Sequence, residues 1–160
     1  MSNTNYPGCI QELYQSEVLG EQVFLALMPL AKNEREKYHL GTCLQFETET
    51  KARLRPFLLK HGFELVEEVD SELTSGVASA YQDSSWLDFL TGLKPLVDQF
   101  LSRFKEIAAA GPAEDRDILQ SMITHEESFV VWIDKEIAGV EGSLDAFISQ
   151  LKYPLPAPPQ

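Results

Sequence analysis

Apolar residues recur at three- and four-residue steps from Ile10 to Leu30, the spacing that keeps side chains on one face of a helix turning about 100° per residue. Pro7-Gly8 supplies a break ahead of this first predicted helix. After the polar step Lys32-Asn33-Glu34, a second periodic run spans Arg35 to Lys60 and stops at His61-Gly62. Pro56 falls in its last turns, where a missing donor and the ring's bulk loosen or bend a helix.

From Phe63 to Ser84 the periodicity weakens. This stretch carries Glu64, Glu67, Glu68, Asp70, Glu72 and Asp83 with no Lys or Arg, and reads as a long solvated crossover with room for a short helix. Ser85 is a suitable N-cap for a third helix through Trp86, Phe89, Leu93, Val97, Phe100 and Phe104, which stops at Ala110-Gly111 and is bent at Pro95. A fourth helix, started by Pro112 or a nearby acid, carries Ile118, Met122, Phe129, Ile133 and Ile137 to Gly139 or Gly142. A short helix from Leu144 to Leu151 and an extended, solvated Pro-rich tail complete the chain. No strand pattern competes. The expected fold is all-α: two antiparallel αα-hairpins joined by one long crossover into a four-helix bundle, with residues 1–9 as an arm, 10–142 as the bundle and 143–160 as the C-terminal helix and tail.

Helical phase then shows which polar residues look inward. On the first helix Tyr14, Glu17, Glu21, Phe24, Leu25 and Met28 share a face, while Leu19, Val23, Leu27 and Leu30 form a second apolar stripe. That second stripe suits a homodimer contact or a cover supplied by the crossover. The inward arc of the second helix holds Leu40, Cys43, Glu47, Thr50, Leu54 and Phe57, and that of the fourth holds Leu119, Met122, Glu126, Phe129, Val130 and Ile133. The third helix sends no carboxylate inward, with Asp98 well off its apolar arc. Glu17, Glu21, Glu47 and Glu126 are therefore expected to converge, with Glu17 closest to the end of the bundle.

Such a cluster is costly. A buried carboxylate needs a cation, a hydrogen bond or a raised pKa, and like charges nearby aggravate the demand. Lys51 and Arg53 could pair with single members of the set, as commonly happens to a Glu on a helix flank. A divalent metal would relieve all of them together. His125, on the flank beside Glu126, and His39, two turns before Glu47, are the weaker candidate ligands. His61 reads as a C-terminal cap, Cys43 as a small core residue, and Tyr14 as a hydrogen-bond partner for a carboxylate.

Composition narrows the partners. Among 160 residues, 25 Asp+Glu against 13 Lys+Arg leave a net charge of −12, which repels phosphate backbones and anionic lipid. No nucleic acid and no membrane partner is expected, and no apolar run approaches the roughly 20 residues of a membrane span. Two cysteines are too few for a disulfide framework, and with no signal-like start a cytoplasmic setting is expected. There is no glycine-rich phosphate loop, Cys-x-x-Cys or Ser-His-Asp ordering.

With these residues placed, the sequence resembles the ferritin-like di-iron carboxylate superfamily, in particular its small rubrerythrin-type bundles. In that family each half-bundle gives one Glu from its first helix and a Glu-x-x-His from its second. Gly20-Glu21 followed by Phe24 is similar to the first ligand position, Glu47 to the Glu of the second helix, and Glu126 in His125-Glu126-Glu127-Ser128-Phe129 to the Glu of the fourth. Thr50 and Phe129 stand where the motif histidines fall, and Val97 where the third helix gives its ligand, so three of the six usual ligands remain. The resemblance implies iron or another divalent metal in a reduced site on Glu21, Glu47 and Glu126, joined by Glu17, and oxidative chemistry on a small molecule in the bundle interior. Two alternatives stand beside it. One is a metal-free bundle with a vestigial site, serving as a binding or interaction protein. The other is a cofactor-free enzyme using Glu47 or Glu126 as general base.

Overall fold

In the computed structural model, residues 5–159 are described, and among them the chain is all-α with no strand. The elements are α1 (Tyr6–Leu27), α2 (Glu34–Lys60), α3 (Ser71–Asp83), α4 (Trp86–Ala110), α5 (Arg116–Ala138) and α6 (Asp145–Ile148). The expected arm is shorter than the sequence pattern implies, because α1 starts at Tyr6. Pro7 lies in the first turn, where its missing N–H has no intrahelical partner to lose, and Asn5 caps the turn by accepting from the Gly8 N–H at 3.3 Å. Residues 1–4 and Gln160 lie outside the described residues. Ser85 accepts from the Asp88 N–H and caps α4, while α5 ends on Gly139 at φ +66°, a left-handed turn suited to glycine. Pro56 and Pro95 both lie inside continuous helices.

Side-chain pairings give the helix directions. Glu21 meets Thr48 and Lys51 while Tyr14 meets Arg55, so α1 and α2 are antiparallel. Trp86 reaches Glu136 and Lys105 reaches Glu127, so α4 and α5 are antiparallel. Arg35 with Glu136, His39 with Trp132 and Thr50 with His125 make α2 antiparallel to α5. The crossover climbs α1 in the same direction: Gln15 donates to the Val66 carbonyl, Gln22 to that of Glu68, and Lys32 to that of Tyr81. It contains α3, which packs against α1, and Val77, Ala78 and Tyr81 join Val23 and Leu27 in the core. The second apolar stripe of α1 is thus partnered within the chain.

The C-terminal segment differs from expectation. Only Asp145–Ile148 is helical there, and its Phe147 is fully buried among Phe46, Phe129 and Trp132. The tail is extended yet docked on α2: the Glu49 carboxylate accepts from the Lys152 and Tyr153 N–H groups, and Leu155 lies against Gly41.

The core divides in two. One cluster runs from Val23, Cys43 and Phe46 to Val97 and Phe129; the other from Cys9 through Val18, Leu54 and Phe104 to Ile123. Between them, at Glu17 on α1, Glu47 and Thr50 on α2, and His125 and Glu126 on α5, lies a buried polar layer.

Candidate functional site

The buried stripe of α1 runs through Leu13, Glu17, Phe24 and Leu27, and Gly20 occupies the step between Glu17 and Phe24. Glycine in a helix interior costs about 1 kcal/mol relative to alanine, so its presence needs a local cause. The Glu47 carboxyl supplies it, because a Cβ on Gly20 would stand 2.5 Å from Glu47 Cδ and 2.6 and 2.7 Å from its two oxygens. The long Glu47 side chain crosses from α2 and rests on the bare backbone of α1.

His125 projects from α5 and is fully buried. Phe46 stacks on its ring at 4.4 Å between centroids, and Phe129 meets it edge-on. Its Nδ1 is bonded to Thr50 Oγ1 at 2.9 Å. Its Nε2 lies 2.9 Å from Glu17 Oε2 and 3.6 Å from Glu47 Oε2. Glu17, Glu47 and His125 each offer an atom within 4.8 Å of the others, and all three residues are buried. Glu17 Oε2 and His125 Nε2 face each other at 2.9 Å without a well-aligned hydrogen bond between them. A buried carboxylate beside an imidazole with no well-aligned hydrogen bond between them leaves a demand for positive charge.

The electrostatics express the same unmet demand for positive charge. Burial pushes the Glu47 carboxyl well above the usual carboxylate range, and Glu17, Glu126 and Glu21 push it further. Burial likewise pushes Glu126 up to about 8, with Glu17 adding to the effect and His125 opposing it. Cys43, fully buried, is also raised, first by burial and then by Glu47, and behaves as a core residue.

The residues singled out in the sequence separate into groups. Glu17, Glu47 and Glu126 face the interior layer together. Glu21 does not join them: it pairs with Lys51 at 2.8 Å and accepts from Thr48 at 2.7 Å, with its side chain 23% exposed. Lys51 holds Glu67 at the same time. Glu17, expected near the bundle's end, stands in the middle layer, and His125, expected on a flank, is at its centre. His39 is elsewhere, two turns along α2, where Nδ1 accepts from Trp132 Nε1 at 3.0 Å and lies 3.9 Å from Glu136. Tyr14 donates to Glu67 rather than to an interior carboxylate, and His61 pairs with Asp115 at 3.0 Å.

The signal for His125 was present in the spacing. His125, Phe129, Trp132 and Glu136 follow one helical stripe, toward α2, while Met122, Glu126 and Ile133 follow the adjacent one. Both stripes are buried, so a choice of one apolar arc leaves out the other.

A cleft of about 70 Å³ reaches this layer between α1, α3 and α4. Leu19, Val23, Phe24, Leu93, Val97 and Phe100 are among its apolar walls, and among the described residues its ionisable lining groups are Glu17, Glu47 and Glu126.

A divalent transition metal fits the triad on chemical grounds. Two carboxylates and one imidazole match a doubly charged borderline ion. Donors around such an ion sit about 2.0–2.2 Å from it and hence roughly 3–3.5 Å from each other, and His125 Nε2 lies 2.9 and 3.6 Å from the carboxylate oxygens of Glu17 and Glu47.

Comparison with known proteins returns no matching family model, no matching curated protein and no matching solved structure. Among the described residues, no helix is long and apolar enough to cross a membrane.

Proposed function

We propose that this chain is a ferritin-like four-helix protein that holds one divalent transition-metal ion on Glu17, Glu47 and His125 and acts as a metal-dependent oxidoreductase on a small molecule. Its four long helices are α1, α2, α4 and α5. The single long crossover beside α1, with antiparallel pairs α1–α2 and α4–α5, supports the ferritin-like connection. The observation that carries the metal reading is the convergence of three buried donor groups, Glu17, Glu47 and His125, within 4.8 Å of one another, with Glu17 Oε2 and His125 Nε2 making no well-aligned hydrogen bond.

When bound, iron or manganese supplies Lewis acidity and an accessible redox couple. The chain's own residues do the rest. Thr50 fixes the ring of His125 through Nδ1, the outer hydrogen bond that orients an imidazole ligand. Gly20 makes room for the Glu47 carboxyl. Glu126 stands beside the layer as a carboxyl able to hold or give up a proton near neutrality, and the apolar walls of the cleft restrict water around it.

Anaerobic titration of the purified protein with Fe²⁺, Mn²⁺ and Co²⁺, read by calorimetry and by the Co²⁺ visible spectrum, tests this. One ion per chain is expected, with affinity falling at least tenfold in Glu17→Gln and in His125→Gln. A folded wild-type protein that takes up none of the three ions would overturn the proposal.

A second reading has one observation in its favour, the 2.9 Å approach of His125 to Glu17. In a metal-free binding protein that contact is a structural ion pair. Glu17→Gln would then lower thermal stability without any metal-dependent difference, whereas the metal reading has the ion raise the wild-type melting temperature and not that of the variant.

A further inference from the structure

The cleft holds a carboxyl that the metal triad does not use. Glu126 is 7% exposed, lines the cleft, and is acted on by His125 and Glu17 with no hydrogen bond from any described residue. Its oxygens are not among the fully enclosed polar atoms left without a partner, so the carboxyl opens onto the cleft, where a ligand can meet it. The walls bear no Lys or Arg, so among the described residues carboxyls are the ionisable groups along the path to the layer, and an arriving ammonium favours their ionised form.

We propose that this cleft binds a small protonated amine with an apolar body, its ammonium on Glu126 and its hydrocarbon portion against Val23, Leu93, Val97 and Phe100. The proposal names a ligand class for the site described above, and rests on that reading only for the assignment of Glu17 and Glu47 to the metal. Charge selects the head group: an ammonium is attracted where a carboxylate would be repelled, and an alcohol gains hydrogen bonds but no ion pairing. Size selects the body. An engineered cavity of about 150 Å³ holds benzene, so a space of about 70 Å³ takes three or four heavy atoms, with longer chains projecting past Leu96 toward α3.

The test uses n-propylammonium, propan-1-ol and propanoate as probes of nearly equal size, titrated into the full chain with and without Zn²⁺ and followed by amide NMR shifts. Four heavy atoms limit the attainable affinity, so dissociation constants of about millimolar are expected for the amine. Propan-1-ol should bind at least tenfold more weakly, and propanoate not at all. In Glu126→Gln the amine should fall to the level of the alcohol. Leu96→Phe, which narrows the mouth of the cleft without touching a carboxylate, should lose amine binding while leaving metal uptake unchanged, and it serves if Glu126→Gln does not fold. Equal binding of amine and alcohol, comparable binding of propanoate, no binding of any probe, or a preference that survives Glu126→Gln would each overturn the proposal. A chain that selects the amine but takes up no metal would sink the metal reading alone; one that takes up metal and ignores the amine would sink this one alone.

Discussion

Replacing Gly20 by alanine separates the stability of α1 from the geometry of the site. The added Cβ would sit 2.5–2.7 Å from the three terminal heavy atoms of Glu47, where ordinary contact begins at 3.4 Å. The three nearest atoms all belong to the end of the flexible Glu47 side chain, so the Glu47 carboxyl must withdraw by roughly 0.9 Å to restore ordinary contact. Metal–donor distances tolerate only about 0.2 Å. A ligand displaced by several times that amount should cost on the order of 10–100-fold in affinity, the range seen when an outer-shell support is removed. Stability without metal should move the other way or not at all, since alanine is about 1 kcal/mol better than glycine in a helix interior. For a chain of this length that corresponds to roughly 2–4 °C in melting temperature. Calorimetric titration with Mn²⁺ and a metal-free thermal melt read the two effects on one sample. A Gly20→Ala protein that binds Mn²⁺ as the wild type does would refute the placement of Glu47 as a ligand supported by Gly20. A variant that loses both metal binding and several degrees of stability would refute the claim that the carboxyl alone yields.

Three further outcomes are expected. Thr50→Val keeps the side-chain shape but leaves the buried His125 Nδ1 without its 2.9 Å partner; chemical denaturation should show a loss of about 1–3 kcal/mol, with Thr50→Ser close to wild type. Burial, reinforced by Arg35 and opposed by Glu136 and Glu36, holds the His39 imidazole down to about 4 against 6.5 for a free one, and its neutral Nδ1 accepts from Trp132. The unfolded chain therefore binds the extra proton first, so this contribution is complete above pH 6.5 and is lost as pH falls toward 4, by up to about 3 kcal/mol. Urea denaturation at pH 7 and pH 4.5 should show the drop, and His39→Gln should flatten it. Phe147→Ala empties a fully buried ring site between α2 and α5 and should destabilise by about 3–5 kcal/mol in the same assay; a change under 1 kcal/mol would mean that α6 is dispensable to the core.

How far the chain could be read from its pattern differs between fold and site. The four long helices and the Ser85 cap follow from local rules, because periodicity and capping are properties of neighbouring residues. The start of α1 is ambiguous in the sequence for an equally local reason: Pro7 serves both as a helix breaker and as a first-turn residue, and the Asn5 cap chooses between them. The docked tail was not legible, since its anchors on Glu49 and Gly41 lie about a hundred residues away in sequence.

The site shows the same division at finer grain. That carboxylates from α1, α2 and α5 would meet inside the protein followed from helical phase, and Glu17, Glu47 and Glu126 do share the buried layer. Phase could not say which of two adjacent polar residues would reach it. Glu17 and Glu21 are one turn apart on α1, and Lys51 and Thr48 of α2 draw Glu21 toward the surface while Gly20 leaves space for Glu47. His125 and Glu126 are neighbours on α5, and the packing of that helix against α2 turns the imidazole to the centre, where Thr50 holds it. The sequence by itself determined an all-helical chain with acidic groups on its apolar faces. The tertiary structure decided which of those groups lost their water and their partners, because burial and ion pairing depend on residues brought in from other helices, and no periodicity within one helix encodes them.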